Sequence, residues 1–360
     1  MTKMSRRRHG DADAPATIVD VARVAGVSLG TVSKVLNGVK GVKAENYGRV
    51  QAAVQKLNYK PNSVARSMRT RSSKMIGCMV TTLDNPIAGK MVQGAEGVLR
   101  EAGYALLLSA HHNSLAHERD ILEVFKARQA EGVILTVCND EALETQERLK
   151  ELNIPVVLWE RNAGEAFDTS LTDHFHAAEL AAQHLLELGH RRIGLVAAYK
   201  DTWTGRQQLE GFERALAAVD APSDPRLIIH TDLFDGGAID AMFRSEALPT
   251  ALIVNVHDVA DALRATRRLG LSAPADFSLV SIGDSRELEV FDPPITAIRG
   301  DGQAVGVAAA KLILMRLETP SISTDVRRVL TPVELITRSS TGRPPVAQSP
   351  RSAATGQGFR

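Results

Sequence analysis

The sequence predicts a small all-α headpiece, followed by an α/β core of two doubly wound parallel-sheet lobes. Three observations carry that prediction. Residues 17–37 hold two short amphipathic helices separated by a glycine turn. From Lys74 onward, short β-rich apolar runs alternate with helical stretches, the pattern of parallel sheets covered on both faces. Charge is also unevenly placed: residues 1–74 carry 15 Lys/Arg against 4 Asp/Glu, leaving 28 against 38 for the rest, so a net charge of +1 conceals a basic head on an acidic body. Such a division is the footprint of a nucleic-acid-binding module joined to a body that should not bind nucleic acid.

Residues 1–16, with Arg6-Arg7-Arg8, are polar and aperiodic and read as a flexible basic arm. Residues 17–60 form the headpiece. Val21, Val24 and Ala25 recur at helical spacing, Gly26 permits the positive φ of a tight turn, and Ser28 suits an N-cap. Val32, Val35 and Leu36 resume the apolar face. A second helix that opens on small polar residues suits a major groove, where Ser28, Thr31, Ser33 and Lys34 meet bases and phosphates. A loop over residues 38–43 leads to a third helix, Glu45–Leu57, and residues 61–73 follow as a separate segment.

The core reads as two series. Strands are expected at Met75–Thr81, Tyr104–Ser109, Gly132–Val137 and Pro155–Trp159, with helices around Met91–Glu101, His117–Arg128 and Glu141–Leu152. In the second series the strands are Arg192–Ala197, Leu227–His230, Ala251–Asn255 and Phe277–Ile282, separated by helices Ala177–Leu188, Arg206–Val219, Ala238–Phe243 and Asp258–Leu269. Two such series imply two lobes rather than one large sheet. Residues 342–360 are a Pro/Ser/Gly-rich tail, read as disordered.

Several function classes find no support. The chain lacks an apolar run of about 18 residues and a signal-like apolar stretch, so a soluble cytoplasmic protein is expected. Cys78 and Cys138 flank apolar runs and read as buried thiols rather than a disulfide or metal pair. Gly300-x-Gly302-x-x-x-Gly306 is one residue too long for a dinucleotide loop, and reads as a helix start capped by Asp301. His111, His112, His117, His174 and His176 lack metal-ligand spacing, and neither HExxH nor GxSxG occurs. No catalytic residue, metal or cofactor is expected.

The helix-turn-helix, followed by Tyr59-Lys-Pro61-Asn62-Ser-Val64-Ala65-Arg66-Ser-Met68-Arg69, resembles the LacI/GalR family of bacterial transcriptional regulators, from about Thr17 to about Thr341. The resemblance implies that residues 61–73 are a hinge helix that pairs with its partner's and enters the minor groove at the operator centre. By position Met68 is the wedge inserted into the central base step, Ala65 faces the groove floor, and Arg66 and Arg69 lie near phosphates. Leu29 and Gly30 stand where base-reading side chains usually sit, and Lys34 replaces the usual Arg. The third helix departs from the family's opening, so Asn46 or Tyr47 takes over phosphate contacts. Thr17, Asn37, Tyr59 and Asn62 complete the expected DNA-facing set.

For the core, the resemblance implies the architecture of the periplasmic sugar-binding proteins: two lobes, three crossovers and a ligand between them. Crossovers near Asp173, Arg299 and Asp325 give an N-lobe of about residues 74–172 and 299–325 and a C-lobe of about 173–298 and 326–341. Carried over position by position, the effector residues are Asp84 and Asn85, Glu160 and Arg161, and Asp173 at the first crossover. Trp203, Arg206 and Gln208 follow on one helix, then His257, Asp258 and Asp284. Gln208 replaces a usual Arg, His257 a usual Asn, and Gly283 a usual Asp. With an acceptor lost at Gly283 and Arg161 and Arg206 expected near the cleft, the balance favours a sugar acid or sugar phosphate over a neutral sugar.

The expected function is sequence-specific DNA binding by a repressor of a carbohydrate or sugar-acid utilisation operon. A homodimer, or a tetramer, would bind a palindromic operator under control of a small-molecule effector. A hinge of about eight residues is marginal alone and stable only when paired on DNA, which supplies the two-state element for allostery. The alternatives are a doubly wound sugar-metabolising enzyme, disfavoured by the missing catalytic motifs, and a sugar-binding transport protein, disfavoured by the headpiece.

Overall fold

The structure is a computed structural model that describes residues 16–36, 38, 41–59, 72–230, 236–245, 248–319 and 325–345. The basic arm before residue 16, the tail from residue 346, and the expected contacts Asn37, Asn62, Ala65, Arg66, Met68 and Arg69 lie outside the described residues. The chain divides into two compact units, Met1–Ser72 and Ser73–Arg360.

The first unit holds α1 (Ile18–Ala25), α2 (Leu29–Leu36) and α3 (Ala44–Lys56). Val21, Ala22, Ala25, Val32, Val35, Val50 and Ala53 form its core. Val24, placed on the apolar face by spacing, is instead 44% exposed, because the narrow core takes Val21, Ala22 and Ala25 and leaves the next position outside. A reciprocal capping box starts α1: Asp20 N donates to Thr17 Oγ1 at 3.4 Å, and Thr17 N donates to Asp20 Oδ2 at 3.0 Å. Gly26 ends it at φ 63°, with its carbonyl held by Arg49 of α3 (Nη2 to O, 3.1 Å).

Among the described residues, the second unit contains two six-stranded sheets. In the N-lobe these are β1 (Met75–Val80), β2 (Ala105–Ala110), β3 (Gly132–Leu135), β4 (Val156–Trp159), β5 (Asp168–Thr172) and β11 (Arg328–Thr331), in the order β11-β5-β4-β3-β1-β2 and all parallel. In the C-lobe, β6 (Ile193–Ala197), β7 (Ile228–His230), β8 (Ala251–Asn255), β9 (Ser278–Ile282), β10 (Thr296–Gly300) and β12 (Val333–Ile336) take the order β12-β10-β9-β8-β6-β7, with only the β10–β12 pair antiparallel. Ile76, Cys78 and Val80 face one core and Met79 the other, the period-2 alternation of a strand buried on both faces.

The N-lobe is covered by α4 (Pro86–Glu101), α5 (Leu115–Ala127), α6 (Leu143–Glu151) and α12 (Gly302–Glu318), and the C-lobe by α7 (His174–Glu187), α8 (Trp203–Ala217), α9 (Gly236–Arg244) and α10 (Val259–Arg268), with a short α11 (Glu287–Val290). Helices α4 and α12 lie backbone to backbone: a Cβ added to Gly306 would sit 1.8 Å from the Met91 carbonyl oxygen, and one on Gly94 2.2 Å from that of Gln303. Among the described residues, no helix is long and apolar enough to cross a membrane.

The chain passes between lobes after Thr172, after Gly300 and after Thr331. The first two passages fall within two residues of the expected Asp173 and Arg299. The third differs from the expected Asp325: Arg328–Thr331 pairs in parallel with β5 of the N-lobe sheet, so the chain changes lobe only between Thr331 and Val333.

Candidate functional site

In the headpiece, α2 presents its outer face to solvent. Ser28, Leu29, Gly30 and Lys34 are exposed, Thr31 and Ser33 half-buried, and Tyr47 of α3 is also exposed, with Asn46 and Tyr59 half-buried. Ser28 is the cap expected from the sequence: Thr31 N donates to its Oγ at 3.2 Å, and the two hydroxyls lie 2.9 Å apart. Thr17 is exposed, but its hydroxyl donates to Asp20 at 2.6 Å and so also serves the capping box. Apolar residues fix the inner face of α2, which leaves small and basic side chains on a helix surface that a major groove can accept.

In the core, a cavity of about 180 Å³ lies between the lobes, lined by the carboxyl ends of both sheets. Thr81 and Thr82 follow β1, Thr136 follows β3, Glu160 and Arg161 follow β4, and Thr172 ends β5. From the other lobe come Tyr199 after β6, Asn255 at the end of β8, His257, and Gly283 after β9. Ile87, Ala88, Met91, Val256, Ile282 and Val333 supply apolar wall. This is where an open α/β sheet places its ligand, because strand order reverses there and the flanking loops diverge.

Glu160 is the most constrained of these residues. Its φ is +55°, a left-handed backbone that costs a non-glycine residue about 1–3 kcal/mol and persists only when neighbours hold it. The holders are visible: its carboxylate accepts from Thr172 N (3.2 Å), Thr172 Oγ1 (2.8 Å) and His174 Nε2, and its carbonyl accepts from Thr204 Oγ1 (2.8 Å). Burial pushes its pKa up, but His174, Thr172 and Arg161 outweigh burial and hold it below the usual carboxylate range. Since an ionised Glu160 only accepts, His174 Nε2 is the donor, and the Nδ1 of a neutral ring is an acceptor.

Arg161 is buried and its guanidinium is largely occupied, donating to Val137 O (2.7 Å), Glu160 O (2.7 Å) and, at 3.5 Å, to Thr204 and Thr81. Burial lowers its pKa, against the pull of Asp140 and Glu160. Gln208 braces the wall: its Oε1 accepts from Ala198 N and its Nε2 donates to Asn255 Oδ1, both at 2.8 Å. The Nδ1 atoms of His174 and His257 are buried and have no protein partner, although both residues line the cavity.

Of the expected effector residues, Asn85, Glu160, Arg161, Gln208 and His257 line the cavity. The other six do not, and each has a visible reason. Asp84 is exposed and bonds locally to Thr82. Asp173 caps α7, accepting from His176 N at 3.0 Å. Trp203 lies edge-on to His174 with centroids 5.9 Å apart and is not among the lining residues. Arg206 is paired with Asp140 (3.0 Å) and Glu141 (3.1 Å). Asp258 is buried beneath the wall, with its carboxylate 3.6 Å from His257 Nε2. Asp284 accepts from Arg299 (2.9 Å) and from both terminal nitrogens of Arg338 (3.0 and 2.9 Å). Of the two arginines expected near the cleft, Arg161 lines the cavity beside Glu160, whereas Arg206 is held by Asp140. Thr81, Thr136, Thr172, Tyr199 and Asn255 line the cavity because they sit at or just after strand ends, and His174 and Thr204 because they lie in the first turns of α7 and α8.

Both cysteines are buried thiols. Burial, helped by Glu118, pushes Cys138 up to about 12, and burial pushes His111, whose Nδ1 is 3.1 Å from its sulfur, down to about 3. Among the described residues, no group of three or more His, Cys, Asp or Glu is placed to hold a metal ion.

Known proteins fit this division of the chain. Residues 17–62 match the group described as bacterial regulatory proteins, lacI family. Residues 76–237 match a periplasmic binding protein domain, and residues 182–341 a periplasmic binding protein-like domain. The chain is similar to the HTH-type transcriptional repressor PurR of Actinobacillus pleuropneumoniae serotype 3 (strain JL03), with 31% identity over 330 residues, 90% of this chain and 98% of the relative. The PurR repressor of Haemophilus influenzae (strain PittEE) is 31% identical over 334 residues, with the same shares covered. Among solved structures, the lac repressor dimer bound to operator and the anti-inducer ONPF matches with a TM-score of 0.79 at 25% identity, over 91% of this chain and 100% of that one. A complex of the transcriptional regulator CelR with cellobiose matches with a TM-score of 0.68 at 25% identity, over 90% and 99%. With a helix-turn-helix headpiece, a two-lobed ligand-binding core and relatives alike over nearly its whole length, the chain belongs to the lacI family of bacterial regulatory proteins.

Proposed function

We propose that this protein is a transcriptional repressor, not an enzyme, that acts in the cytoplasm. It binds a palindromic operator as a dimer through residues 17–73 and is controlled by a small neutral effector held between the lobes of residues 74–341. The domain limits stay those read from the sequence, with the third crossover moved to Thr331. The exposed face of α2 supports the DNA reading, with Ser28, Leu29, Gly30, Thr31, Ser33 and Lys34 toward the major groove and Tyr47 toward phosphate. The hinge positions Asn62, Ala65, Arg66, Met68 and Arg69 are assigned by sequence resemblance.

A single observation carries the effector reading: two histidines with buried, unpartnered Nδ1 atoms line a cavity whose lining among the described residues holds one carboxylate, Glu160, and one guanidinium, Arg161. A volume of about 180 Å³ is close to the roughly 150 Å³ cavity that takes up benzene, so the ligand is of monosaccharide or single-base size. A neutral ligand fits this lining, in which Glu160 is matched by the single guanidinium of Arg161. A hydroxyl or N–H of the ligand donates to His174 Nδ1.

The test is a thermal-shift screen of neutral pentoses, hexoses and nucleobases against aldonates and sugar phosphates, followed by operator mobility shift. A ligand at 100 times its Kd adds about 2.7 kcal/mol of stability. Stabilisation by a neutral member, reduced in His174→Ala, is expected. Stabilisation by the anions alone would overturn the neutral reading.

A further inference from the structure

The loop that follows β3 carries a carboxylate that the effector site does not use. Asp140 is fully buried, yet it lies on the N-lobe side of a seam between lobes. One of its donors is local: Asn162 N, 2.9 Å from Oδ2. The other two belong to the C-lobe. Trp203 N, at the first turn of α8, is 3.1 Å from Oδ1 and 3.0 Å from Oδ2, and Arg206 Nη2, one turn further on, is 3.0 Å from Oδ1. Thr202 already caps α8 within its own lobe, accepting from Gly205 N at 3.3 Å. Asp140 therefore adds a second cap from the opposite lobe, at the helix end where backbone N–H groups are unpaired and partial charge is positive.

We propose that Asp140 is a latch that holds the two lobes closed. Parting the lobes strips two of its three donors at once and leaves a carboxylate facing Arg206 across a widening gap. A buried charge that loses its partners is strongly penalised, so the contact is either fully made or fully broken. That all-or-none character is what a closure element requires, and it lies outside the cavity, where no effector need touch it. Lys90 Nζ, donating to Asp284 O at 3.3 Å, spans the lobes elsewhere but involves a neutral acceptor, so it resists opening less.

The experiment measures lobe separation in the full chain without any effector. Spin labels are placed through Leu83→Cys and Val290→Cys, exposed positions on opposite lobes, while Cys78 and Cys138 are buried and do not label. Asp140→Asn should lengthen and broaden the label-to-label distance by several ångströms. Glu141→Gln should leave it unchanged, because Glu141 touches Arg206 from an exposed position. Amide protection of the core strand Ala251–Asn255 verifies that each variant is folded. Should Asp140→Asn lose that protection, Arg206→Ala replaces it, with the same lengthening expected. An unchanged distance distribution in the folded variant overturns the latch, as does an equal lengthening in Glu141→Gln.

Discussion

Replacing Gly306 with Ala tests whether the N-lobe depends on the close contact of α4 with α12. In an open helix this substitution stabilises, since Ala is favoured over Gly by about 1 kcal/mol. Here the new Cβ would lie 1.8 Å from Met91 O, 2.7 Å from its carbonyl carbon and 2.9 Å from Ala95 N, all backbone atoms that cannot rotate away. Restoring an ordinary carbon–oxygen contact of about 3.3 Å requires the helices to part by roughly 1.5 Å. Overpacking of this kind costs about 1–3 kcal/mol, and a backbone-to-backbone clash belongs at the upper end. Subtracting the propensity gain leaves a net loss of about 2 kcal/mol, or a Tm lowered by about 4–8 °C for a domain of this size. Gly97→Ala, on α4 with nothing within 4 Å of its new Cβ, should instead raise stability by about 0.4–1 kcal/mol. Calorimetric unfolding of the pair should therefore move in opposite directions. Because Ile87 and Gly302 line the effector cavity at the starts of the same two helices, Gly306→Ala should also weaken effector binding. A Gly306→Ala protein that melts at or above the parent temperature would refute the packing argument.

Three further outcomes are expected. Lys34→Ala should reduce operator affinity by on the order of 1–3 kcal/mol, and parental binding should weaken with salt by roughly 0.9 in log K per phosphate contacted, both measurable by fluorescence anisotropy titration. Gly26→Ala forces a Cβ at φ 63°, only 2.3 Å from Arg49 Nη2, and should destabilise the headpiece by roughly 1–2 kcal/mol, read as helicity lost from its own melting transition. Burial raises the pKa of Asp284, but bonds from Arg338 and Arg299 outweigh it, so the folded value lies below 3.8. Its contribution to stability is therefore full above 3.8 and is lost as pH falls through the folded value, and Asp284→Asn should flatten that acid limb of the stability curve.

The sequence disclosed the apolar elements more readily than the polar ones. Expected strands such as Met75–Thr81 and Ala251–Asn255 lie within a residue of the observed spans, since their β-rich composition and burial agree. Strand β5, Asp168-Thr-Ser-Leu-Thr172, escaped notice because four of its five residues are polar. Pairing with β4 and β11, and the bond from Ser170 Oγ to Val305 O (2.8 Å), make it a strand, and none of this is local. Overlooking β5 also displaced the third crossover, because β11 belongs to the N-lobe only as the neighbour of β5. In the cleft, motif matching identified loops but not which side chains turn inward. Arg206 carries the right charge on the right helix, yet Asp140, at 66 residues' distance in sequence, claims it.

Three passages of chain between the lobes have a consequence for how the protein is made. The N-lobe sheet cannot acquire the helix Gly302–Glu318 that fills one of its faces until synthesis has passed residue 318, nor its edge strand until residue 331. The C-lobe sheet waits for Val333–Ile336. Neither half can mature on the ribosome ahead of the other, in contrast to tandem domains that fold one after another. Contacts between Asp168–Thr172 and Arg328–Thr331 span about half the chain, and long-range parallel pairing of this kind is slow to form. A break in the chain near residue 300 thus disables both lobes together, and the two fold and are degraded as one body.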